Sequence, residues 1–169
     1  MQESVEARLR ELGITLPPAS RPLASYAPVM IAGQTAFVSG HGPLIDGHPR
    51  YTGCIGRDID ETDACDAARL TTINLLSTLD DALGSLEPIA GIIEIRIYLQ
   101  ATAESEAHIL VPAAVDRFMR EIFGQRADAC ALATIGISAC VLNLPITIDL
   151  VVELNSTPPF QRCLEAGTV

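Results

Sequence analysis

The stretch Ala129–Leu154, ACALATIGISACVLNLPITIDLVVEL, decides the fold. It predicts two strands, Ala129–Leu142 and Ile146–Leu154, joined by a turn at Asn143-Leu144-Pro145. In the second strand, apolar side chains occupy one face completely, and Val151 adds to the other face. A sheet that helices cover on one face only should present polar residues on its other face. The excess of apolar residues therefore predicts that the face without helices is covered by self-association.

The rest of the chain is predicted to form three helices and four further strands. The predicted elements, in chain order, are a helix over Val5–Leu12, a hairpin of strands Tyr26–Ala32 and Thr35–Gly40, a short third strand at Tyr51–Gly56, a helix over Asp60–Leu83, a strand over Ile89–Leu99 and a helix over Pro112–Phe123. This order predicts an α+β fold with its helices on one side of the sheet. Residues 1–13 are expected to form an N-terminal helix, residues 14–154 a single domain, and residues 155–169 a flexible tail.

Composition excludes several function classes. All 11 cationic residues among the 169 are Arg, so a Schiff-base lysine, a covalently held pyridoxal phosphate and a phosphate-loop lysine are impossible. The five cysteines are odd in number and widely spaced, and the three histidines are scattered. They predict neither a metal site nor a disulfide framework. No cofactor is expected.

The net charge of −10 opposes a nucleic-acid partner, because such binding depends on neutralising phosphates. No apolar stretch approaches the roughly 20 residues that span a membrane. A cytoplasmic protein with reduced cysteines is therefore expected.

Three segments carry a resemblance to a known family. LGITLPPASRPLASYAPVMIAGQTAFVSGHGPL, DACDAARLTTINLLSTLDDALGSL and ALATIGISACVLNLPITIDLVVEL together resemble the Rid (YjgF-type) family, in its branch of slightly longer members. The likeness runs from Leu12 to Leu154. It implies a chorismate-mutase-like fold with a mixed sheet and two helices on one face. It also implies a homotrimer with small-molecule clefts between subunits.

The best-known members of that family hydrolyse reactive enamines and imines, such as 2-aminoacrylate, to a 2-keto acid and ammonia. The resemblance implies that Tyr26, Ser39-Gly40 and Thr134 line the substrate site. It also implies that Asp149 takes the place of a Glu that positions water.

Two positions depart from the family pattern. Leu132 falls where family members carry the Arg that holds the substrate carboxylate, and Pro112 falls where many carry an Asn. A charge-assisted hydrogen bond to such an Arg contributes about 1.5–3 kcal/mol, so its loss disfavours small anionic imines. Leu132 makes that wall apolar and favours a larger, less charged ligand. Arg96 and Arg126 are the residues considered as replacements for the missing cation.

His41 and Asp149 are the candidate catalytic residues. An imidazole with a pKa near 6.5 can move protons at neutral pH, and Asp149 could orient it or activate water if the two meet across a subunit boundary. The alternatives stay open: His41 as a solvent-facing loop residue, Asp149 as a polar residue at the inner rim of the assembly, and Tyr26 as hairpin packing.

Three functional hypotheses follow. The first is a water-mediated hydrolase or tautomerase of a reactive imine or enamine, with standard 2-iminobutyrate deaminase activity doubtful. The second is a biosynthetic-pathway enzyme that acts on a larger apolar intermediate. The third is a non-catalytic metabolite-binding module. The endoribonuclease label sometimes attached to the family comes last, because the charge opposes it.

Overall fold

The computed structural model describes residues 4–20 and 25–156. In chain order, the helices and strands are α1 Val5–Glu11, β1 Val29–Ala32, β2 Thr35–His41, β3 Leu44–Ile45, β4 His48–Pro49, α2 Glu61–Leu83, β5 Ile89–Leu99, α3 Ala107–Phe123, β6 Ala131–Gly136 and β7 Ile146–Leu154. The α+β class is confirmed.

Local capping fixes the ends of the helices. The Ser4 side chain caps the start of α1 by accepting a hydrogen bond from the amide of Ala7. The Asp60 side chain caps the start of α2 in the same way, with the amide of Asp63 as donor. Gly84, at φ +75°, ends α2 in the left-handed conformation that glycine adopts without strain.

The main sheet has five strands in the order β1-β2-β7-β5-β6. β6 runs parallel to β5, and all the other neighbours are antiparallel, so the sheet is mixed as predicted. β7 lies at the centre and pairs with β2 along one edge and with β5 along the other.

One face of the sheet lies under α2 and α3. Alternate residues of β7, from Ile146 to Leu154, are buried there, together with Ile95, Ile97 and Leu99 of β5. The helices contribute apolar stripes such as Leu75, Leu76 and Leu79 of α2. We call the opposite side the open face. Large apolar side chains exposed there include Met30, Phe37 and Ile135.

The predicted third strand at Tyr51–Gly56 is wrong in extent. Only Ile55 makes bridges, to Ile59 and Ala101, because Gly53 and Gly56 adopt φ values of +108° and +82° that interrupt an extended chain. A small hairpin, β3–β4, forms upstream instead. Its turn is Asp46-Gly47, a dipeptide that favours two-residue hairpins because both residues take positive φ.

The second long helix begins earlier than predicted, at Ala107 rather than at Pro112. The reason is burial, because Ala107 and Val111 extend the apolar stripe that Val115 continues. The Ser105 hydroxyl also accepts a hydrogen bond from the amide of Ala107 at this earlier start. Pro112 therefore lies inside the helix, where it cannot donate to the carbonyl of His108.

The strand predicted over Ala129–Leu142 is shorter than expected, since β6 ends at Gly136. Residues Val141–Asn143 form a short 3-10 turn instead, in which Leu142 and Asn143 both have a φ of +54°. The first strand also starts late, at Val29, because Pro28 has no amide to donate. The tail expected over 155–169 lies outside the described residues from 157 onward.

Replacing Pro112 with alanine should stabilise the protein. The new amide can donate to the His108 carbonyl, and interior helix prolines cost on the order of 3 kcal/mol, of which the more flexible unfolded chain offsets about 1 kcal/mol. We expect the free energy of unfolding, measured by urea titration, to rise by about 1–2 kcal/mol. An unchanged or lower value would contradict the account of α3.

Candidate functional site

A polar cluster interrupts the apolar open face at the centre of the sheet. Arg96 on β5 lies directly opposite Asp149 on β7, and its Nε donates to Oδ1 over 2.7 Å. The Tyr98 hydroxyl donates to the other carboxylate oxygen over 3.1 Å. The Asp149 side chain is 16% exposed and that of Arg96 is 40% exposed. The register of β5 and β7 thus supplies the Asp149 carboxylate with two partners.

The ion pair sets the protonation of its neighbours. The hydrogen bond and charge of Asp149 raise the pKa of Arg96, which stays cationic. Desolvation, followed by the charge and hydrogen bond of Asp149, raises the pKa of Tyr98. Tyr98 is therefore a phenol at neutral pH, and it donates to the carboxylate.

A small cleft of about 80 Å³ lies at the end of β2, and Tyr26, Gly40, Val141 and Thr147 are among its lining residues. The chains approach closely at Gly40, because a Cβ at that position would lie 2.9 Å from the Thr147 methyl group and would force that side chain to move. Thr147 precedes Asp149 by two residues on β7. Its side chain therefore lies on the same face, about 7 Å along the strand. Thr147, which lines the cleft, therefore lies between the cleft and Asp149 along β7.

The β6–β7 connection forms one wall of the cleft, and Gln100 fixes its shape. The buried Gln100 carboxamide accepts a hydrogen bond of 2.7 Å from the Cys140 amide and donates one of 2.8 Å to the Asn143 side chain. These bonds hold the left-handed pair Leu142-Asn143, a conformation that costs roughly 1–2 kcal/mol per non-glycine residue. Val141 and Leu142 are consequently held with 57% and 48% of their surface exposed.

His41 lies on the helix side of the sheet and not beside Asp149. Its Nδ1 donates to the Ser39 carbonyl over 2.7 Å, and its Nε2 lies 2.7 Å from the Thr78 hydroxyl on α2. Burial lowers the pKa of His41, against the weaker opposing effect of the Ser39 hydrogen bond. The ring is neutral at pH 7, so Nε2 accepts from Thr78. Within one chain the two candidate catalytic residues do not meet.

Ser39, like His41, is bonded within the fold. Its hydroxyl donates to the Ala27 carbonyl over 2.8 Å and its amide to Pro28, which ties the segment carrying Tyr26 to β2. Of the site residues predicted from the sequence, Tyr26, Gly40 and His41 line the cleft.

Leu132 and Thr134 lie on the edge strand β6, beside Ile95 and Ile97. Those two isoleucines face the helices, whereas Arg96 and Tyr98 face the other way, so one chain does not bring Leu132 and Thr134 to Asp149. Arg126 is held at a distant edge by Glu87, 3.5 Å from its carboxylate. Of the two replacement cations considered, Arg96 alone joins the cluster.

Sequence reasoning missed Tyr98, Gln100 and Cys140 as parts of the site. The alternation of Glu94, Arg96 and Tyr98 along β5 was a visible signal that these side chains share a face. Cys140, whose Sγ lies 2.9 Å from the Thr147 hydroxyl, and Gln100 had no local signal.

Within residues 4–20 and 25–156, no group of three or more His, Cys, Asp or Glu side chains is arranged to hold a metal ion. Cys54, Cys65, Cys130 and Cys140 are free thiols, and Cys163 lies outside the described residues. In the same ranges, no helix has the length and apolar character needed to cross a membrane.

The fold and the sequence together define the family. A profile described as "YjgF/chorismate_mutase-like, putative endoribonuclease" matches residues 6–150, and the chain belongs to this family. The resemblance noted from the sequence is confirmed. Family membership supports a role in small-molecule processing.

The similarity of this chain to individual relatives extends over nearly their whole length. Protein TCP17 of Trypanosoma cruzi is 26% identical over 152 residues, which cover 90% of this chain and 95% of the relative. The crystal structure of a "putative endoribonuclease" from Shewanella oneidensis MR-1 has a TM-score of 0.85 and 27% identity, covering 90% of this chain and 100% of its own. The protein Atu1372 of Agrobacterium tumefaciens, described as of unknown function, has a TM-score of 0.81 and 33% identity, with 89% and 92% covered.

The buried neutral His41 should make stability depend on pH. Between the lowered folded pKa and the unfolded value near 6.5, the unfolded chain binds a proton that the folded chain does not. Stability should therefore fall as the pH drops below about 6.5, by up to about 1.4 kcal/mol per pH unit.

His41→Gln should remove this component from urea titrations carried out between about pH 7 and 5. His48→Gln, in an exposed turn, is the matched control and should keep the wild-type slope. Equal slopes in the wild type and His41→Gln would contradict the buried, neutral assignment.

Proposed function

We propose that the protein is a Rid-type small-molecule enzyme that works as a homotrimer and hydrolyses a reactive imine, enamine or related compound in clefts between subunits. The observation that carries this proposal is the Asp149–Arg96–Tyr98 cluster. It lies on an otherwise apolar open face, about 7 Å along β7 from Thr147, which lines the cleft with Tyr26 and Gly40. Arg96 and Tyr98 compensate the Asp149 charge and hold its carboxylate in one orientation on this face.

Asp149 has capacity left for a water molecule. A carboxylate accepts about four hydrogen bonds, and Arg96 and Tyr98 supply two of them. The free acceptor positions orient water against the imine carbon. Because Arg96 and Tyr98 fix both carboxylate oxygens, that water has a defined direction of approach.

The proposed reaction balances with water alone. The water oxygen bonds to the imine carbon, and its proton passes to the nitrogen. The resulting carbinolamine loses the amine or ammonia and leaves a carbonyl compound. His41 acts here as a positioning residue for the Ser39-Gly40 turn, because both of its ring nitrogens are engaged.

The open face supports the trimer part of the proposal. Met30, Phe37 and Ile93 are 45%, 46% and 43% exposed, and Ile135 extends the same surface toward the β6 edge. Monomeric proteins rarely expose contiguous apolar patches of this kind. In an assembly, the β6 edge of one copy, with Leu132 and Thr134, would complete the cleft of the next.

A larger apolar substrate is the second candidate, favoured by a specific observation. Val141 presents an exposed apolar side chain at the cleft wall, the neighbouring Leu142 is also exposed, and Leu132 stands where the family pattern has a guanidinium. The same cluster would then act on a biosynthetic intermediate.

Asp149→Asn tests the enzyme proposal. Two imines are offered: freshly generated 2-iminobutyrate, followed by ammonia release, and N-benzylidenemethylamine, followed by benzaldehyde absorbance. The wild type should accelerate hydrolysis of at least one, and the variant should lose about 100-fold of that acceleration.

Asp46→Asn, in the exposed β3–β4 turn, is the control and should retain full activity. Wild-type rates equal to those in buffer for both imines would remove the hydrolase proposal.

Phe37→Glu tests the assembly. The wild type should sediment at three times the 18.0 kDa chain mass, and the new charge on the open face should shift the population toward monomer. Ile109→Glu, at a 74% exposed position on α3, is the control. A monomeric wild type would overturn the trimer.

A further inference from the structure

The strand residues of the open face carry an excess of negative charge. By alternation and register, Glu94, Asp149 and Glu153 point to this face. Arg96 is the one cation among the strand residues that do so. The surface around the cluster is therefore net negative by two charges, the opposite of what a site for a carboxylate needs.

Arg96 is already compensated. Its Nε is bonded to Asp149 at 2.7 Å, and its other side approaches Glu94, with Nη1 4.0 Å from Oε2. A guanidinium flanked by two carboxylates offers an incoming anion little net attraction, and the anion would also face both acids. At the family's carboxylate-binding position, Leu132 contributes no charge.

The remaining polar groups suit a positive group. Asp149 keeps free acceptor positions, and Glu94 is half-exposed with its carboxylate oriented toward the cluster. Tyr26 at the cleft and Tyr98 in the cluster add aromatic rings, and ring faces attract ammonium groups. None of the described residues lining the cleft is charged at pH 7, since His41 is neutral there.

We infer that the ligand of this site carries a protonated amine or iminium nitrogen and no carboxylate. The inference rests on the proposed function and names its substrate class. The nitrogen is placed at the free acceptor positions of Asp149, on the side away from Arg96, and the apolar remainder extends past Thr147 toward Val141 at the cleft. A protonated imine is also the more electrophilic form, so the charge that favours binding also favours attack by water.

Three probes that share one ring test this charge preference on the full-length protein: benzylamine, benzoate and benzyl alcohol. Affinities are measured by titration calorimetry or ligand-observed NMR at about 20 mM salt. Benzylamine should bind about tenfold more tightly than benzoate, and its advantage should shrink at about 0.2 M salt, where the Debye length is below 10 Å.

Single substitutions test which carboxylates produce the preference for benzylamine. Asp149→Asn should weaken benzylamine binding about tenfold and Glu94→Gln about threefold, without affecting benzyl alcohol. Glu11→Gln on the outer surface of α1 removes the same charge elsewhere and should change nothing. Glu94→Gln leaves the Arg96–Asp149 pair intact, so it remains informative if Asp149→Asn folds poorly.

Two results would overturn the inference in different ways. Tighter binding of benzoate would reject the cationic ligand, and an amine preference that survives both variants would reject its placement at Asp149. Either result leaves the cleft and its proposed hydrolysis standing. Binding of none of the three probes would remove the cleft as a ligand site and the proposed function with it.

Discussion

The central position of β7 constrains the rest of the domain. Because β7 is hydrogen-bonded to β2 and β5, all its side chains lie either under the helices or on the open face. Alternate residues from Ile146 to Leu154 fill the core beneath α2 and α3. The same alternation places Thr147, Asp149 and Val151 on the opposite side. A carboxylate at the middle of that side must be compensated, and the antiparallel register places Arg96 directly across from it.

The elements with the strongest periodicity could be read from the sequence. α2, β5 and β7 lie where the 3.6- and 2-residue patterns put them, because burial of a continuous apolar face decides their structure. The errors occurred where a local signal competed with tertiary context. Pro112 indicated a helix start, yet burial of Ala107 and Val111 extends α3 upstream of it. The run after Ala129 was read as one strand, although its second half turns at Leu142.

The site was predictable only in part, since motif positions do not specify which face of a sheet a side chain occupies. The resemblance assigned Tyr26 and Gly40 to a substrate site, and in the structure both line the cleft. His41 and Asp149 were paired on the condition that they meet across a subunit boundary, and within one chain they face opposite sides of the sheet. The pairing of Arg96 with Asp149 joins residues 53 positions apart. Such a pair follows from register, which the spacing along the chain does not reveal.

The turn at Val141–Asn143 has a consequence for how this scaffold can diversify. The Gln100 side chain forms hydrogen bonds with the Cys140 backbone amide and the Asn143 side chain. Neither bond involves the side chain of Val141 or Leu142. Those two positions can therefore vary in size and polarity while the loop path and the sheet stay fixed. Gln100 thus fixes the path of this loop without determining which side chains it presents. Gene duplicates could acquire new ligands by changing the two side chains at positions 141 and 142.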